Sequence, residues 1–448
     1  SGAVHHLDIA EIDGRFASGG AAGTYRGLSG KVARVPILFS ESSGRWQVQR
    51  GDLLLTGRVM VADEMVPPRF EPLVSDDFRL TLAENRVHAL GWLNHPASGT
   101  RVTHATIDHD LRSGVGGALL DVPGIAFTLD GLQPEDISRR TVGVVALVEG
   151  TLRGRGEIGW RPGATTSTGT FSTEDMNLAA SFGPVEGLST TVHFTDLLAL
   201  ASAPGQVATI DLIRAGIDVA DGTIHYQLLP NSHVQIESGR WPFAGGELLL
   251  QPSLLDFSRP STKYLTFDVL GLNAATFTEQ LGFDSIELTG LFDGVLPMRF
   301  DVRGGHIVGG KLRARPGGGM LSYTGLVSDQ ALGTYGKLAF DALRSLRYSQ
   351  FYIQLDGALA GEFLTRIQLD GITVAGRQHW LLRQLANIPF RFNIAIRGPL
   401  RAVIATARAT SDPTILIQPV LPEELQGLPT TVTRIDTEES ETSNATDE

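Results

Sequence analysis

The sequence contains no cysteine, which excludes disulfides, thiolate metal sites and cysteine nucleophiles. Nor does it have an excess of basic residues: 37 Lys and Arg stand against 49 Asp and Glu, a formal charge of −12. Nucleic-acid binding needs a dense basic stripe, so nucleic-acid partners are excluded. Because the chain lacks a run of about 18 apolar residues, we predict no helix that spans a bilayer.

The amino terminus has no initiator methionine and no apolar signal-peptide core after Ser1 and Gly2. We interpret the chain as a fragment of a longer protein, with any membrane anchor upstream of residue 1. The absence of cysteine is compatible with a periplasmic location.

What the sequence does have is a two-residue hydrophobic period from about residue 4 to residue 407, interrupted by Gly, Asp, Asn and Pro. This pattern is typical of half-buried antiparallel strands, and it predicts about 25 of them. Glycine-containing strand-turn-strand units recur at 148–160, 288–300 and 356–371 without a fixed spacing. They indicate strands added one after another along an axis, although an ordinary β-sandwich also fits the composition.

Helical patterns are few and short. The clearest apolar stripe covers about residues 328–348. A second helix is predicted over 274–281, with Asn273 as its N-cap, and a third over 379–386. The segment 430–448 has few apolar residues and many acidic ones, so we expect it to be a disordered acidic tail.

No motif for metal or phosphate binding is convincing. His104 and His109 are five residues apart in a strand-like segment, which places them on opposite faces and makes a shared metal improbable. The glycine clusters at 309–311 and 315–319 lack the spacing of a phosphate-binding loop. They are better explained as turns and close backbone approaches.

Catalytic groups are equally poorly supported. The paired carboxylates Asp76 with Asp77 and Glu174 with Asp175 lie in turn-like sequence, where solvated turn residues and caps are common. Trp160, Trp241 and Trp380 could stack on a sugar, but isolated aromatics in apolar strands usually belong to a core. We therefore predict no enzyme activity and no cofactor, and an uncharacterised carbohydrate-active enzyme is only a third hypothesis.

The apolar strand face itself is the best candidate for a binding surface. If the strands form one long curved sheet, this face becomes a continuous trough that acyl chains can fill, each methylene contributing about 0.8 kcal/mol. The same residues would also fill the dry core of a closed sandwich. The candidate lipid-binding residues are Ile224, Tyr226, Leu228, Leu248, Leu250, Leu265, Phe267, Val269, Leu288, Phe292, Phe351, Ile353 and Leu355.

Several segments together resemble the YdbH-like domain of the AsmA superfamily, which is related to the TamB and YhdP groups. No single motif carries the resemblance, which depends on the order and extent of the segments. It covers about residues 100–410 and is weaker over 1–99. The segments are 167–197, 241–257, 265–277, 290–300, 304–323, 351–371 and 387–405.

The resemblance implies an elongated, mostly antiparallel, taco-shaped β-groove that carries phospholipid between the inner and outer membranes. It implies a periplasmic protein anchored in the inner membrane, with an outer-membrane or periplasmic partner at its C-terminal end. On this view residues 1–99 begin the groove, 100–410 form the YdbH-like domain, and 411–429 are a C-terminal extension. The alternative is a structural β-solenoid or adhesin-like surface protein with a closed, dry core.

Overall fold

The structure is a computed structural model. It describes fourteen stretches of the chain: residues 6–17, 19–31, 36–142, 144–180, 183–215, 217–259, 261–280, 286–301, 304–323, 346–359, 362–370, 373–374, 392–399 and 418–419. Residues 328–345 of the helix predicted over 328–348, the helix predicted over 379–386 and the tail predicted over 430–448 lie outside these residues.

The described chain is mostly β-strand, as predicted, with 28 strands against about 25 expected from the sequence. The first fifteen are β1 (His6–Ala17), β2 (Gly20–Lys31), β3 (Ile37–Gln49), β4 (Asp52–Asp63), β5 (Leu73–Ala83), β6 (Arg86–Asn94), β7 (Arg101–Asp110), β8 (Val115–Phe127), β9 (Ala146–Arg161), β10 (Ala164–Ala180), β11 (Gly183–Asp196), β12 (Ala201–Ser202), β13 (Gln206–Ala215), β14 (Ile217–Leu229) and β15 (His233–Phe243). The others are β16 (Gly246–Leu250), β17 (Ser253–Asp256), β18 (Lys263–Asn273), β19 (Ile286–Leu288), β20 (Leu291–Asp301), β21 (Gly304–Ala314), β22 (Gly319–Tyr323), β23 (Leu346–Tyr348), β24 (Gln350–Ala358), β25 (Glu362–Asp370), β26 (Thr373–Val374), β27 (Phe392–Pro399) and β28 (Gln418–Pro419).

The described residues include two short α-helices, α1 (Pro134–Ile137) and α2 (Ala274–Gln280), and a 3-10 turn at Arg139–Thr141. Helix α2 confirms the prediction, because Asn273 Oδ1 accepts a hydrogen bond from the Ala275 N–H at 3.0 Å and so caps the helix. The predicted helix over 328–348 is wrong at its end, since Leu346–Tyr348 form strand β23. Pairing with β22 decides that conformation.

The chain divides into two compact units. Unit 1 comprises Ser1–Phe243, Leu248–Phe267 and Met298–Gly305, and unit 2 comprises Ala244–Glu247, Asp268–Pro297 and His306–Glu448.

Unit 1 is an antiparallel meander. From β1 to β11 each strand pairs with the next in the chain, and the series continues through β13 and β14 to β15. Tight hairpins make this possible: Gln49 pairs with Asp52 across a turn whose two central residues, Arg50 and Gly51, both have positive φ. Turns of this kind match the natural twist of the flanking strands.

Strand register gives the unit 1 sheet two chemically different faces, because directly paired residues point to the same side. One row of paired residues runs across β1 to β10 as Phe16, Ala21, Val48, Leu53, Leu82, Val87, His109, Gly116, Trp160 and Thr165. The neighbouring row on the opposite side is Arg15, Ala22, Gln47, Leu54, Thr81, His88, Asp108, Gly117, Gly159 and Thr166. We call these sides the apolar face and the polar face.

Part of the apolar face is covered by two excursions of the chain, which we call the strap: residues 64–72 and 128–145, of which residue 143 is not described. Beneath the strap is a fully buried aliphatic and aromatic core at one end of the strands. Its members are Leu73, Val102, Val122, Ile125, Phe127, Val148 and Met176 from the sheet and Leu132 from the strap itself.

Two ion pairs and a hydrogen bond between the two excursions hold the strap in place. Arg69 donates from Nε and Nη2 to the Asp63 carboxylate at 2.8 and 2.7 Å, and the Asp63 side chain is fully buried. Ser138 Oγ donates to the Arg69 carbonyl at 2.6 Å, and Arg139 Nε donates to Glu71 at 2.8 Å. The two excursions therefore stabilise each other.

In unit 2, β21, β24, β25, β27 and β28 pair in sequence, while β19, β22, β23 and β26 form a separate four-stranded sheet. Phe292, Tyr348 and Phe351 make an aromatic core, with ring centroids 5.0 Å apart for Tyr348 and Phe351 and 5.3 Å apart for Phe292 and Phe351. Burial raises the pKa of Tyr348 to about 12.

Candidate functional site: the apolar sheet face

The apolar face of unit 1 extends as parallel rows of side chains outside the strap. The row next to Val48 and Leu53 contains Trp46, Leu55, Leu80, Ala89, Ile107, Ala118 and Ile158. Most of these residues are half-buried, whereas the core beneath the strap is below a tenth exposed. At strand β1 the same face is open, since Phe16 is 88% and Ile12 61% exposed.

Seven candidate residues lie in unit 1. Ile224, Tyr226 and Leu228 share one face of β14, and Ile224 is paired with Ala208 on the apolar face of β13. Leu250 and Trp241 both lie next to Gly239. The ring centroids of Trp241 and Phe267 are 6.0 Å apart. Leu248 and Leu265 alternate with these residues and point to the same side.

The other six candidates lie in unit 2. Phe351, Ile353 and Leu355 share one face of β24, where Phe351 is paired with Leu369 and Ile353 with Ile367. Phe292 contacts Phe351 and is buried with it. Val269 on β18 is also buried. Leu288 is separate from these, because β19 belongs to the four-stranded sheet.

Aromatic rings on this face lie directly against glycines of the neighbouring strands. A Cβ added at Gly14 would be 2.3 Å from Trp46 Cζ2, one at Gly154 2.3 Å from Phe171 Cδ1, and one at Gly222 2.0 Å from Trp241 Nε1. No real Cβ contact is this short, so only glycine leaves room for the rings. Glycine thus provides the space that the largest side chains of the apolar face occupy.

Two hydrogen-bonded pairs of side chains lie on the apolar face. Thr190 Oγ1 donates to the Val207 carbonyl at 2.8 Å, so Tyr226 donates its phenol hydrogen to Thr190 over 2.9 Å. Burial raises the pKa of Tyr226, and the bond to Thr190 opposes that rise. Trp160 Nε1 donates to His109 Nδ1 at 3.1 Å, which fixes the acceptor nitrogen of that imidazole.

The isolated motifs have structural explanations. His109 lies on the apolar face, whereas His104 packs against Trp92 on the polar face, with ring centroids 5.0 Å apart, so the predicted opposite orientation is confirmed. Gly309 and Gly318 have positive φ, at a bulge and a turn, which confirms the prediction for the glycine clusters.

The paired carboxylates are not in turns, contrary to expectation. Asp76 and Asp77 lie within β5, and Glu174 and Asp175 within β10, in each case where the strand register shifts. Asp77 accepts the Trp92 N–H at 2.8 Å, and Asp76 pairs with Arg58 at 2.9 Å. A β-bulge frees backbone groups inside a strand: Asp77 accepts one such N–H, and the Asp175 N–H donates to Ser189 Oγ at 3.0 Å.

Residues of the apolar face before residue 200 were missed by the sequence analysis, and so was helix α1. Bulges break the two-residue period there. In β10 the odd-numbered Phe171 and Thr173 face the apolar side before the bulge, and the even-numbered Met176 and Leu178 face it after the bulge.

Helix α1 could have been found from Pro134 at its first position and the acidic residues that follow.

The described residues contain no group of three or more His, Asp or Glu side chains arranged to hold a metal ion. Neither α-helix in the described part of the chain has the length and hydropathy of a membrane span.

Comparison with known proteins agrees with the resemblance seen in the sequence. The model of the YdbH-like family, described as intermembrane phospholipid transport protein YdbH, matches residues 5–421. No curated protein and no solved structure matches the chain. The match spans more than nine-tenths of the sequence, and the chain therefore belongs to the YdbH-like family of intermembrane phospholipid transport proteins.

Proposed function

We propose that the chain is a non-catalytic lipid carrier whose apolar face holds the acyl chains of phospholipid during transport across the periplasm. The observation that supports this most directly is the half-buried state of the unit 1 rows that contain Leu53, Leu80 and Ile107. Apolar rows of this extent normally mark a binding surface. Acyl chains fit them because they need no hydrogen-bond partner from the protein.

The family supports the same function, because its model describes intermembrane phospholipid transport. In this proposal the sheet curves into a groove, the acyl chains lie inside it, and the head groups remain at its open edge. The proposal includes an anchor in the inner membrane and an outer-membrane or periplasmic partner at the C-terminal end.

The test uses adjacent residues on opposite faces of one strand. Ile224 lies on the apolar face of β14 and Thr223 on the polar face; Ile353 and Gln354 have the same relation in β24. We expect Ile224→Glu and Ile353→Glu to lower the phospholipid that copurifies with the protein, because a buried carboxylate disfavours acyl chains. Thr223→Glu and Gln354→Glu add the same charge and should leave lipid content unchanged.

The measurement is native mass spectrometry with lipid extraction, on protein purified without detergent and checked for fold by circular dichroism. Equal lipid in all four variants would show that the assigned face is wrong. Folded wild-type protein without lipid would instead favour the closed, dry β-solenoid.

A second experiment locates the lipid by fluorescence. Trp46 is half-buried on the apolar face, whereas Trp92 lies on the polar face with the Arg101 guanidinium 4.8 Å from its ring centroid. Phospholipid with brominated acyl chains should quench the wild type, and Trp46→Phe should remove part of that quenching. Trp92→Phe should lose none of the quenching seen in the wild type. The reverse pattern would place the lipid on the polar face.

A further inference from the structure

Four successive hairpins at one end of the unit 1 strands carry an arginine each. Arg50 lies in the β3–β4 turn, Arg86 begins β6, Arg112 lies in the β7–β8 turn, and Arg161 ends β9. Register places all four at the same strand ends. We call this edge the arginine rim. Neighbouring hairpins are two strands apart, so the arginines follow each other at about 10 Å.

Three of the four guanidinium groups of the arginine rim have no carboxylate partner among the described residues, and the fourth has a long ion pair. Arg50, Arg112 and Arg161 are exposed and form no ion pair with any described residue. Arg86 Nε is 3.8 Å from Asp110 Oδ2. The other oxygen of Asp110 is occupied within its own hairpin, where it accepts the Arg112 and Ser113 N–H groups at 2.9 and 2.8 Å.

The opposite strand ends differ in this respect. There Lys31 pairs with Glu64, Arg69 with Asp63, Arg139 with Glu71 and Arg214 with Glu186, at 2.7 to 3.1 Å. The strap is also at that edge, where it covers the adjacent apolar core. Unit 1 therefore has one edge where most cations are paired and the apolar core is covered, with Arg101 over the Trp92 ring as an exception. At the other edge three exposed guanidinium groups form no ion pair with a described residue.

The apolar face beside the arginine rim is only half-buried. Val48, Leu53, Leu82 and Val87 form the last apolar row before the turns, and all four are half-buried. Asp52 and Glu84 also lie at these turns and give the rim both signs of charge. A phosphate attached to apolar chains would therefore meet guanidinium groups and an apolar row at this edge, and a cationic amine on the same head group would meet carboxylates.

We propose that the arginine rim binds the phosphate of a glycerophospholipid whose acyl chains lie on the adjoining rows of the apolar face. Guanidinium is suited to phosphate because its planar N–H groups can donate two hydrogen bonds to it. Successive arginines give the phosphate a series of equivalent sites along the edge. The inference rests on the proposed function and adds which edge of the sheet receives the head group.

The test compares two triple variants with the same loss of charge. Arg50→Gln, Arg112→Gln and Arg161→Gln together alter the arginine rim. In the control, Arg45→Gln, Arg79→Gln and Arg153→Gln alter exposed arginines on the polar face. The probes are dioleoyl phosphatidylethanolamine and dioleoylglycerol, which have the same acyl chains and differ in the phosphate head group.

We expect the rim variant to bind phosphatidylethanolamine about fivefold more weakly than the wild type, which corresponds to about 1 kcal/mol for one exposed charge contact. Its dioleoylglycerol affinity should equal that of the wild type, and the control should bind both lipids normally. Unchanged phosphatidylethanolamine binding by the rim variant would overturn the inference, as would an equal loss in the control.

Two further outcomes separate the possible sources of error. Wild-type protein that binds neither lipid would contradict the proposed function itself. Displacement of phosphatidylethanolamine by an equal concentration of soluble glycerol phosphate would show that the rim binds a free phosphate ester, and it would overturn the assignment to lipid.

Discussion

Replacing Gly222 by alanine tests whether the aromatic rings of the apolar face need glycine beneath them. The added Cβ would lie 2.0 Å from Trp241 Nε1 and 2.5 Å from Cδ1, well inside the usual contact distance. The ring cannot simply lift away, because Trp241 is 2% exposed and packs against Phe267 and Leu250. Forcing a methyl group into such a site costs about 1–3 kcal/mol.

The matched control is Gly117→Ala, in a strand of the same unit. A Cβ at Gly117 would meet only the Ile158 carbonyl, at 3.4 Å, and the backbone at neither glycine has positive φ. Alanine there should be neutral or should stabilise the fold by up to about 1 kcal/mol, through lower entropy of the unfolded chain. Thermal unfolding followed by circular dichroism measures both variants. Equal midpoints would refute the view that Trp241 depends on Gly222.

Three further predictions concern buried groups. Burial acts to raise the pKa of Asp63, but hydrogen bonds from Arg69 and Met65 hold it below the ordinary value. Asp63→Asn should therefore lower the free energy of unfolding by about 2 kcal/mol at neutral pH. The difference between variant and wild type should shrink as the pH falls through the pKa of Asp63 in the folded protein. Thermal unfolding midpoints at several pH values measure this. Phe292→Ala should destabilise unit 2 by about 3–5 kcal/mol in chemical denaturation, while Val295→Ala, at an exposed position of the same strand, should cost far less. Phenolate absorbance should show that Tyr348 titrates near pH 12, because burial raises its pKa. The neutral phenol therefore stabilises the fold fully below the ordinary pKa, about 10, and this stability is lost as the pH rises towards 12. A phenolate that forms near pH 10 would contradict the prediction.

The strand-rich character of the chain was predictable because a two-residue period needs only local sequence. It placed Phe351, Ile353 and Leu355 on one face of β24, as found. Helix α2 was predictable for the same reason, since Asn273 and the helical segment are adjacent in the chain.

Features that depend on distant pairing were not predictable. A bulge shifts every later residue to the other face, so the alternation in β10 cannot be continued past Thr173 without knowing its partners. Likewise the sequence of Leu346–Tyr348 continues a helical pattern, but pairing with β22 makes this segment a strand. Leu288 alternates like the other candidates, yet its partner Leu321 places it in the four-stranded sheet.

The contrast within unit 1 is the strongest physical argument for a ligand. Where the strap lies on the apolar face, residues such as Val102, Ile125 and Phe127 reach 4–6% exposure, so this sequence can close an apolar surface when it supplies a cover. Outside the strap, side chains of the same kind, Leu55 and Leu80 among them, remain half-buried. Water against these rows costs about 25 cal/mol per Å² of apolar area, and an acyl chain removes that cost without a polar group that needs a partner. In the proposed function, these half-buried rows are thus the part of the unit 1 sheet where bound lipid would give the largest gain in free energy.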